Sequence, residues 1–211
     1  QRRRQNIRRM QKHLPERVQK GQGTMRAFTF ENATKIYFGG GCVKEHLLEA
    51  VKPYGETVML AYGGGSIKTN GIYQEVMDVL KLAGKQVIEF SGIMPNPTYS
   101  KVMEGKKVVQ ENQVDLILAV GGGSVMDCSK AISMAAATDK DVWEEYWIKK
   151  GEIDFEPVPV GVIVTVVGTG SEVNGEGVIT HEEQKIKTSR NYPRCNPVFA
   201  MMDPKYTYTV S

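Results

Sequence analysis

The 211 residues hold no CxxC pair, and their three cysteines, Cys42, Cys128 and Cys195, are odd in number and widely spaced. That argues against a disulfide framework and against a structural zinc site, and a reducing cytoplasm is the expected compartment. No apolar run approaches the roughly 20 residues that a bilayer-spanning helix needs, so no membrane span is expected. Histidine is scarce as well. His13 falls in a basic arm, His46 on a surface-like helix and His181 in a polar turn, so the three are not placed to share a metal. Cys128 and Cys195 have no evident histidine partner and read as buried packing rather than as nucleophiles. No internal repeat or low-complexity segment stands out beyond three glycine triplets.

A small net positive charge conceals an asymmetry. Residues 1–24 carry Arg2, Arg3, Arg4, Arg8, Arg9, Lys12, Arg17 and Lys20 against Glu16 alone, which leaves the remainder net acidic. The arm has neither an apolar core face nor the apolar stretch of a secretory signal, and it reads as a disordered or artefactual extension ahead of a domain spanning 25–211. Its charge could meet nucleic acid, but the acidic remainder argues against a nucleic-acid partner.

From Met25 onward the pattern is regular. Strand-like runs at 34–38, 57–62, 86–90 and 114–120 alternate with helix-patterned stretches that begin near Val43, Gly71, Thr98 and Ser124. Such alternation predicts an α/β fold: a parallel sheet with right-handed crossovers and helices on both faces. The continuous apolar run 116–120 reads as a central, buried strand. Asn96-Pro97 is expected to open the third helix, with proline in its first turn. Further on, 160–167 reads as another buried strand. Residues 175–180 and 185–189 form a β-hairpin around the turn 181–184, and 198–202 is a last strand.

Gly39-Gly40-Gly41, Gly63-Gly64-Gly65 and Gly121-Gly122-Gly123 each follow a strand, which puts all three at the carboxyl edge of the sheet, where open α/β folds bind ligands, and suggests one shared crevice. The third is the most telling. A glycine turn between a buried strand and a helix lets backbone N–H groups approach a phosphate closely, where the helix dipole also favours negative charge. Ser124, Asp127 and Lys130 then follow on one helix face, Lys130 reading equally as a surface cation. The turn is not a Rossmann fingerprint, since Met126 stands at the sixth place and the motif follows the fourth strand. It is not a P-loop either, since Lys130 lies seven residues past Gly123.

The run Gly121-Gly122-Gly123-Ser124-x-x-Asp127-x-x-Lys130, with Pro95-Asn96-Pro97-Thr98 before it and Thr165-Val166-Val167-Gly168-Thr169-Gly170-Ser171-Glu172 after it, resembles the iron-containing (group III) alcohol dehydrogenase family. Likeness extends from about Phe28 to Ser211 and is greatest to the branch of butanol dehydrogenases and broad-range aldehyde reductases. It implies a dinucleotide-binding α/β domain, the all-helical metal domain of the family lying beyond this chain. It implies also that Gly122, Gly123 and Ser124 bind the diphosphate and that Asp127 lies near the nicotinamide side. Thr165, Thr169, Asn174, Lys187 and Tyr206 would line the rest of the cleft. Asn96 joins them, although N-capping alone would account for it.

Many members of that family carry an aspartate after the second strand, where it holds the adenosine ribose. Here Gly63-Gly64-Gly65-Ser66 stands instead, so Gly64, Gly65, Ser66 and Lys68 are free to accept a 2′-phosphate, and NADP(H) is expected over NAD(H). The implied activity is hydride transfer between the coenzyme and a small aldehyde or primary alcohol, assisted by a divalent metal, iron or zinc, that only the full-length parent would hold. This chain alone is expected to be inactive. Alternatives are a stand-alone nucleotide-binding module and a glycerol dehydrogenase-like member of the same superfamily. The lead-in 27–32 resembles the segment that relatives pair across a homodimer.

Overall fold

The strongest strand signal, the unbroken apolar run before the third glycine triplet, forms the centre of the sheet in the computed structural model, which describes residues 32–208. The basic arm 1–24 and most of the lead-in 27–32 lie outside the described residues.

Elements follow in the order β1 (Lys35–Phe38), α1 (Cys42–Val51), β2 (Thr57–Tyr62), α2 (Ser66–Thr69), α3 (Ile72–Leu82), β3 (Gln86–Phe90), α4 (Tyr99–Glu111), β4 (Leu116–Gly121) and α5 (Gly123–Ala136). A short π-helix, Trp143–Ile148, precedes β5 (Val160–Val164). The chain then forms β6 (Glu176–His181), β7 (Ile186–Asn191) and β8 (Phe199–Met202), with 3-10 turns at Pro193–Cys195 and Pro204–Thr207. Six parallel strands form one sheet in the order β1-β8-β5-β4-β2-β3, while β6 and β7 pair antiparallel as a separate hairpin.

Alternation along β4 distributes its side chains to two cores. Leu116, Leu118 and Val120 meet α1 and α3 residues such as Leu47, Val51, Val76 and Leu80. Ile117 and Ala119 meet Val102 and Val109 of α4 and Ile132 of α5. These β4 side chains are fully buried, and burial of each large aliphatic one contributes roughly 1.5–3 kcal/mol.

The hand of the crossovers explains the two layers. Chain direction reverses at β3: α3 carries β2 outward to β3 over one face, then α4 brings the chain back over the other face to β4. A switch point therefore lies between the carboxyl ends of β2 and β4, which are hydrogen-bonded neighbours. In open α/β sheets this is where ligands bind.

Local expectations need four corrections. The third helix does not begin at Asn96-Pro97: Thr98 is its N-cap, its side chain accepting from the Lys101 N–H, and Asn96 takes a left-handed φ of 55° ahead of it. Capping therefore does not explain Asn96. The strand after the prolines stops at Val164 rather than continuing to 167. His181 does not occupy a solvated turn. It ends β6, with its ring centroid 5.2 Å from Tyr99 and 5.0 Å from Trp143. Finally, the three triplets do not share one crevice. The first follows β1, separated from β4 by β8 and β5, and its Gly41 N–H is already bonded to the Asp203 carboxylate at 2.6 Å.

Candidate nucleotide site

Gly122 is the N-cap of α5, in extended backbone and with no side chain capping the helix. Its carbonyl already serves the N–H groups of Val125 and Met126, at 3.0 and 3.2 Å. The N–H groups of the first turn therefore face out from the carboxyl end of β4, an arrangement that attracts anions.

Close approach explains the glycines of this turn. A Cβ on Gly122 would come within 3.1 Å of the Val166 Cβ, and one on Gly123 within 2.7 Å of the Thr169 Cγ2. The loop after β5 thus lies directly over the turn, anchored by the Thr165 N–H to the Gly121 carbonyl at 3.0 Å. Thr169 is exposed, and its hydroxyl oxygen accepts the Ser171 N–H at 3.2 Å, which leaves the hydroxyl proton for an anion.

The second triplet comes to the same place from β2. A Cβ on Gly63 would lie 3.8 Å from the Val125 side chain, in the first turn of α5, while Gly64 and Gly65 would meet nothing within 4 Å. Gly64, Gly65 and Ser66 are exposed. Beside them the Glu89 carboxylate gathers three donors: Tyr62 at 2.5 Å, Tyr73 at 2.6 Å and Lys68 at 3.1 Å. Those tyrosine hydroxyls hold Glu89 down to about 2, so it is ionised at neutral pH. Lys68 is therefore engaged with a carboxylate rather than free, a partnership that β3 brings from 21 residues away.

The hairpin closes a third side. Thr180 N–H bonds the Pro97 carbonyl at 3.0 Å, Ser100 binds Glu182, and Lys187 reaches Asn96 Oδ1 at 2.6 Å. Asn96 and Lys187 are thus in contact. Tyr206 is placed differently, buried in the core layer formed with α1 and α3. Burial, with Glu75 nearby, raises its phenol well above the ordinary tyrosine range.

Asp127 and Asn174 point inward. One Asp127 oxygen accepts the Ser171 hydroxyl at 2.5 Å and the other the Val178 N–H at 3.2 Å. Asn174 Oδ1 takes the Glu176 N–H at 2.9 Å and the Lys130 ammonium at 3.3 Å. Lys130 is not a surface cation: the residue is 2% exposed. A signal for this was present, since Met126, Cys128, Ala131, Ile132 and Met134 surround it with apolar neighbours on every side of the helix, the pattern of a fully buried helix.

The glycine cradle and the uncapped helix start fit a dinucleotide diphosphate. A metal does not find its ligands here: among the described residues no group of three histidine, cysteine, aspartate or glutamate side chains could hold one. No described helix is long and apolar enough to cross a membrane.

Comparison with known proteins agrees with this architecture. The family model of iron-containing alcohol dehydrogenases matches residues 33–204. The chain is 45% identical over 186 residues to the "Probable NADH-dependent butanol dehydrogenase 1" of Bacillus subtilis, covering 88% of this chain and 47% of that protein. It is 38% identical over 187 residues to the "NADPH-dependent aldehyde reductase YqhD" of Escherichia coli, covering 88% and 47%. Among solved structures, the NADH-dependent butanol dehydrogenase A of Thermotoga maritima superposes with a TM-score of 0.82 at 38% identity, covering 89% of this chain and 46% of that one. The chain spans about half the length of the relatives it matches. With its parallel sheet, its glycine turns at the switch point and these matches, the chain belongs to the iron-containing alcohol dehydrogenase family.

Proposed function

We propose that this chain is the nicotinamide-coenzyme-binding part of a metal-dependent alcohol dehydrogenase or aldehyde reductase, which moves hydride between NAD(P)H and a small aldehyde or primary alcohol. The observation that carries the reading is the uncapped start of α5 at the switch point, faced by the 63–66 turn on one side and the 165–170 turn on the other. In this reading the first-turn N–H groups and Thr169 hold the diphosphate. Gly64, Gly65 and Ser66 meet the adenosine ribose over β2. Asn96 and Lys187 bound the cleft beneath the hairpin. The described residues supply binding and orientation of the coenzyme, and the metal's Lewis-acid role falls to ligands outside them. Titration of nicotinamide fluorescence with NADPH and NADH tests the proposal, and uptake of neither overturns it.

The coenzyme preferred is NADP(H). No carboxylate follows β2, and the open space at Gly64 and Gly65 admits a 2′-phosphate beside the Ser66 hydroxyl. One observation favours NAD(H): ionised Glu89 neutralises Lys68 next to that space. Relatives of both kinds are known, as the names above show. Turnover of a full-length version with the two coenzymes decides; a kcat/KM at least ten-fold higher with NADPH is expected, and a preference for NADH overturns the NADP(H) assignment and gives the dominant effect to Glu89.

A homodimer paired through the sheet edge completes the proposal. Among the described residues β1 is an edge strand, with Ile36 and Phe38 exposed at 53% and 73%, the kind of edge that pairs with another chain. Sedimentation is expected to show a dimer that Phe38→Lys weakens. A monomer at micromolar concentration removes this part of the proposal and leaves the coenzyme site intact.

A further inference from the structure

Lys130 has three N–H donors and a cage of four oxygens: the Ser171 carbonyl at 2.9 Å, the Ser171 hydroxyl at 2.7 Å, the Asn174 carbonyl at 2.9 Å and Asn174 Oδ1 at 3.3 Å. The Ser171 hydroxyl accepts from Lys130 and donates to Asp127, so one hydroxyl links the ammonium to a carboxylate that lies 4.0 Å away. Ser171 and Asn174, which form the cage, both belong to the segment that leaves the 165–170 turn. Ser171 in turn bonds the Thr169 hydroxyl oxygen, and Thr169 is the residue packed over Gly123. A continuous path of contacts therefore runs from the buried ammonium to the phosphate-facing surface.

We propose that Lys130 is a positioning residue for the coenzyme: from behind, its ammonium clamps Ser171 and Asn174 and so holds the 165–170 turn closed over Gly122 and Gly123, where the diphosphate binds. The inference rests on the reading that a nicotinamide coenzyme occupies this site. It differs from a contact role, because Lys130 is sealed from the cleft and acts through Ser171 and Thr169.

The charge state of the clamp follows from its surroundings. Asp127 of α5, Cys195 of the 3-10 turn, Glu176 of β6 and Glu172 of the intervening turn face the amine, and desolvation outweighs them and pushes Lys130 down to about 8. Burial pushes the Cys195 thiol up to about 12, so it stays neutral where Lys130 titrates. Above about pH 8 the ammonium is lost, the clamp weakens and coenzyme affinity falls. Fold stability moves the other way. Because the folded value lies below the ordinary 10.5, the unfolded chain holds more protons between about pH 8 and 10.5, and the Lys130 contribution to stability rises across that window.

Lys130→Met separates these effects. Coenzyme titrations from pH 6.5 to 9.5, thermal melting and amide hydrogen exchange over 165–174 are the measurements. In the wild type, affinity is expected to fall about ten-fold from pH 7 to 9.5, the scale of one lost charge-assisted hydrogen bond. In the variant it is expected to be about ten-fold weaker at pH 7 and nearly flat with pH, with faster exchange confined to 165–174. A variant that melts earlier yet binds with wild-type affinity and an unchanged pH profile overturns the proposal, since Lys130 would then be core packing alone. Should Lys130→Met fail to fold, Ser171→Ala removes the shared hydroxyl and leaves the other three acceptors. A several-fold loss of affinity is then expected at temperatures well below the melting transition of the variant, and unchanged affinity overturns the clamp. If the wild type takes up neither coenzyme, the proposed function fails, and exchange in the ligand-free protein still judges the clamp: equal protection of 165–174 with and without the Ser171 hydroxyl overturns it.

Discussion

Gly123→Val is expected to raise the coenzyme dissociation constant about a hundred-fold or more while leaving the fold largely intact. Gly123 is the first residue of α5, and a Cβ there would stand 2.7 Å from the Thr169 Cγ2 and 3.0 Å from its Oγ1. Real Cβ atoms do not come so close, so Thr169 must rotate or the 165–170 turn must lift. Rotation removes the Ser171 N–H bond to the Thr169 oxygen. Lifting opens the cradle. In both cases the added side chain stands beside N–H groups that need close approach to a phosphate. Hydrogen bonds to a charged group contribute roughly 1.5–3 kcal/mol each, so loss of two of them gives a factor of at least about a hundred. Stability should change much less, because Thr169 is exposed and the strain falls on a surface turn. Fluorescence titration together with thermal melting measures both. Affinity within three-fold of wild type, at unchanged melting temperature, would mean that the diphosphate does not sit on this turn.

The sequence was legible where a single element determines its own environment. β2 and β3 run over the residues expected of them, Thr57–Tyr62 and Gln86–Phe90, because apolar runs with glycine or polar punctuation leave little choice of period or boundary. The start of α5 was equally readable, since a buried strand followed by three glycines has few ways to continue. Structure departs from local sequence signals where partners come from far along the chain. Asn96-Pro97 carried a helix-start signal, but Thr98 captures the cap, and Asn96 is drawn off to Lys187, 91 residues away. His181 resembles a turn residue until Tyr99 and Trp143 stack against it. Lys68 stood as a free cation for a 2′-phosphate because nothing local announces Glu89, which only the pairing of β2 with β3 brings near. Lys130 is the most instructive case. Its i+3 spacing from Asp127 was visible, but the oxygens that cage it arrive with a loop 41 to 44 residues later.

Asp127→Ala is expected to destabilise the fold by about 3–5 kcal/mol. Burial raises the Asp127 carboxyl above its ordinary value and lowers the Lys130 amine, so on both sides the cost of desolvation exceeds the attraction between the two charges. Such a pair is no source of stability against an apolar pair of the same shape, but removal of the carboxylate leaves the buried ammonium with only the neutral oxygens of Ser171 and Asn174 around it. Alanine would also release the Ser171 hydroxyl and orphan the Val178 N–H of β6, loosening the hairpin from α5. Asp127→Asn keeps an acceptor for Val178 and should cost less. The pH dependence identifies the cause. With the carboxylate gone, Lys130 is held further below 10.5, so the window in which the unfolded chain binds the extra proton widens downward, and the deficit of Asp127→Ala should shrink as pH rises from 7 to 10. Adding Lys130→Met should recover much of the loss at pH 7, because the stranded charge is then gone. Denaturant unfolding of both variants measures this. A deficit below about 1 kcal/mol, or one that does not respond to pH, would mean that Asp127 does not compensate the buried lysine and that the hairpin is held by its apolar contacts alone.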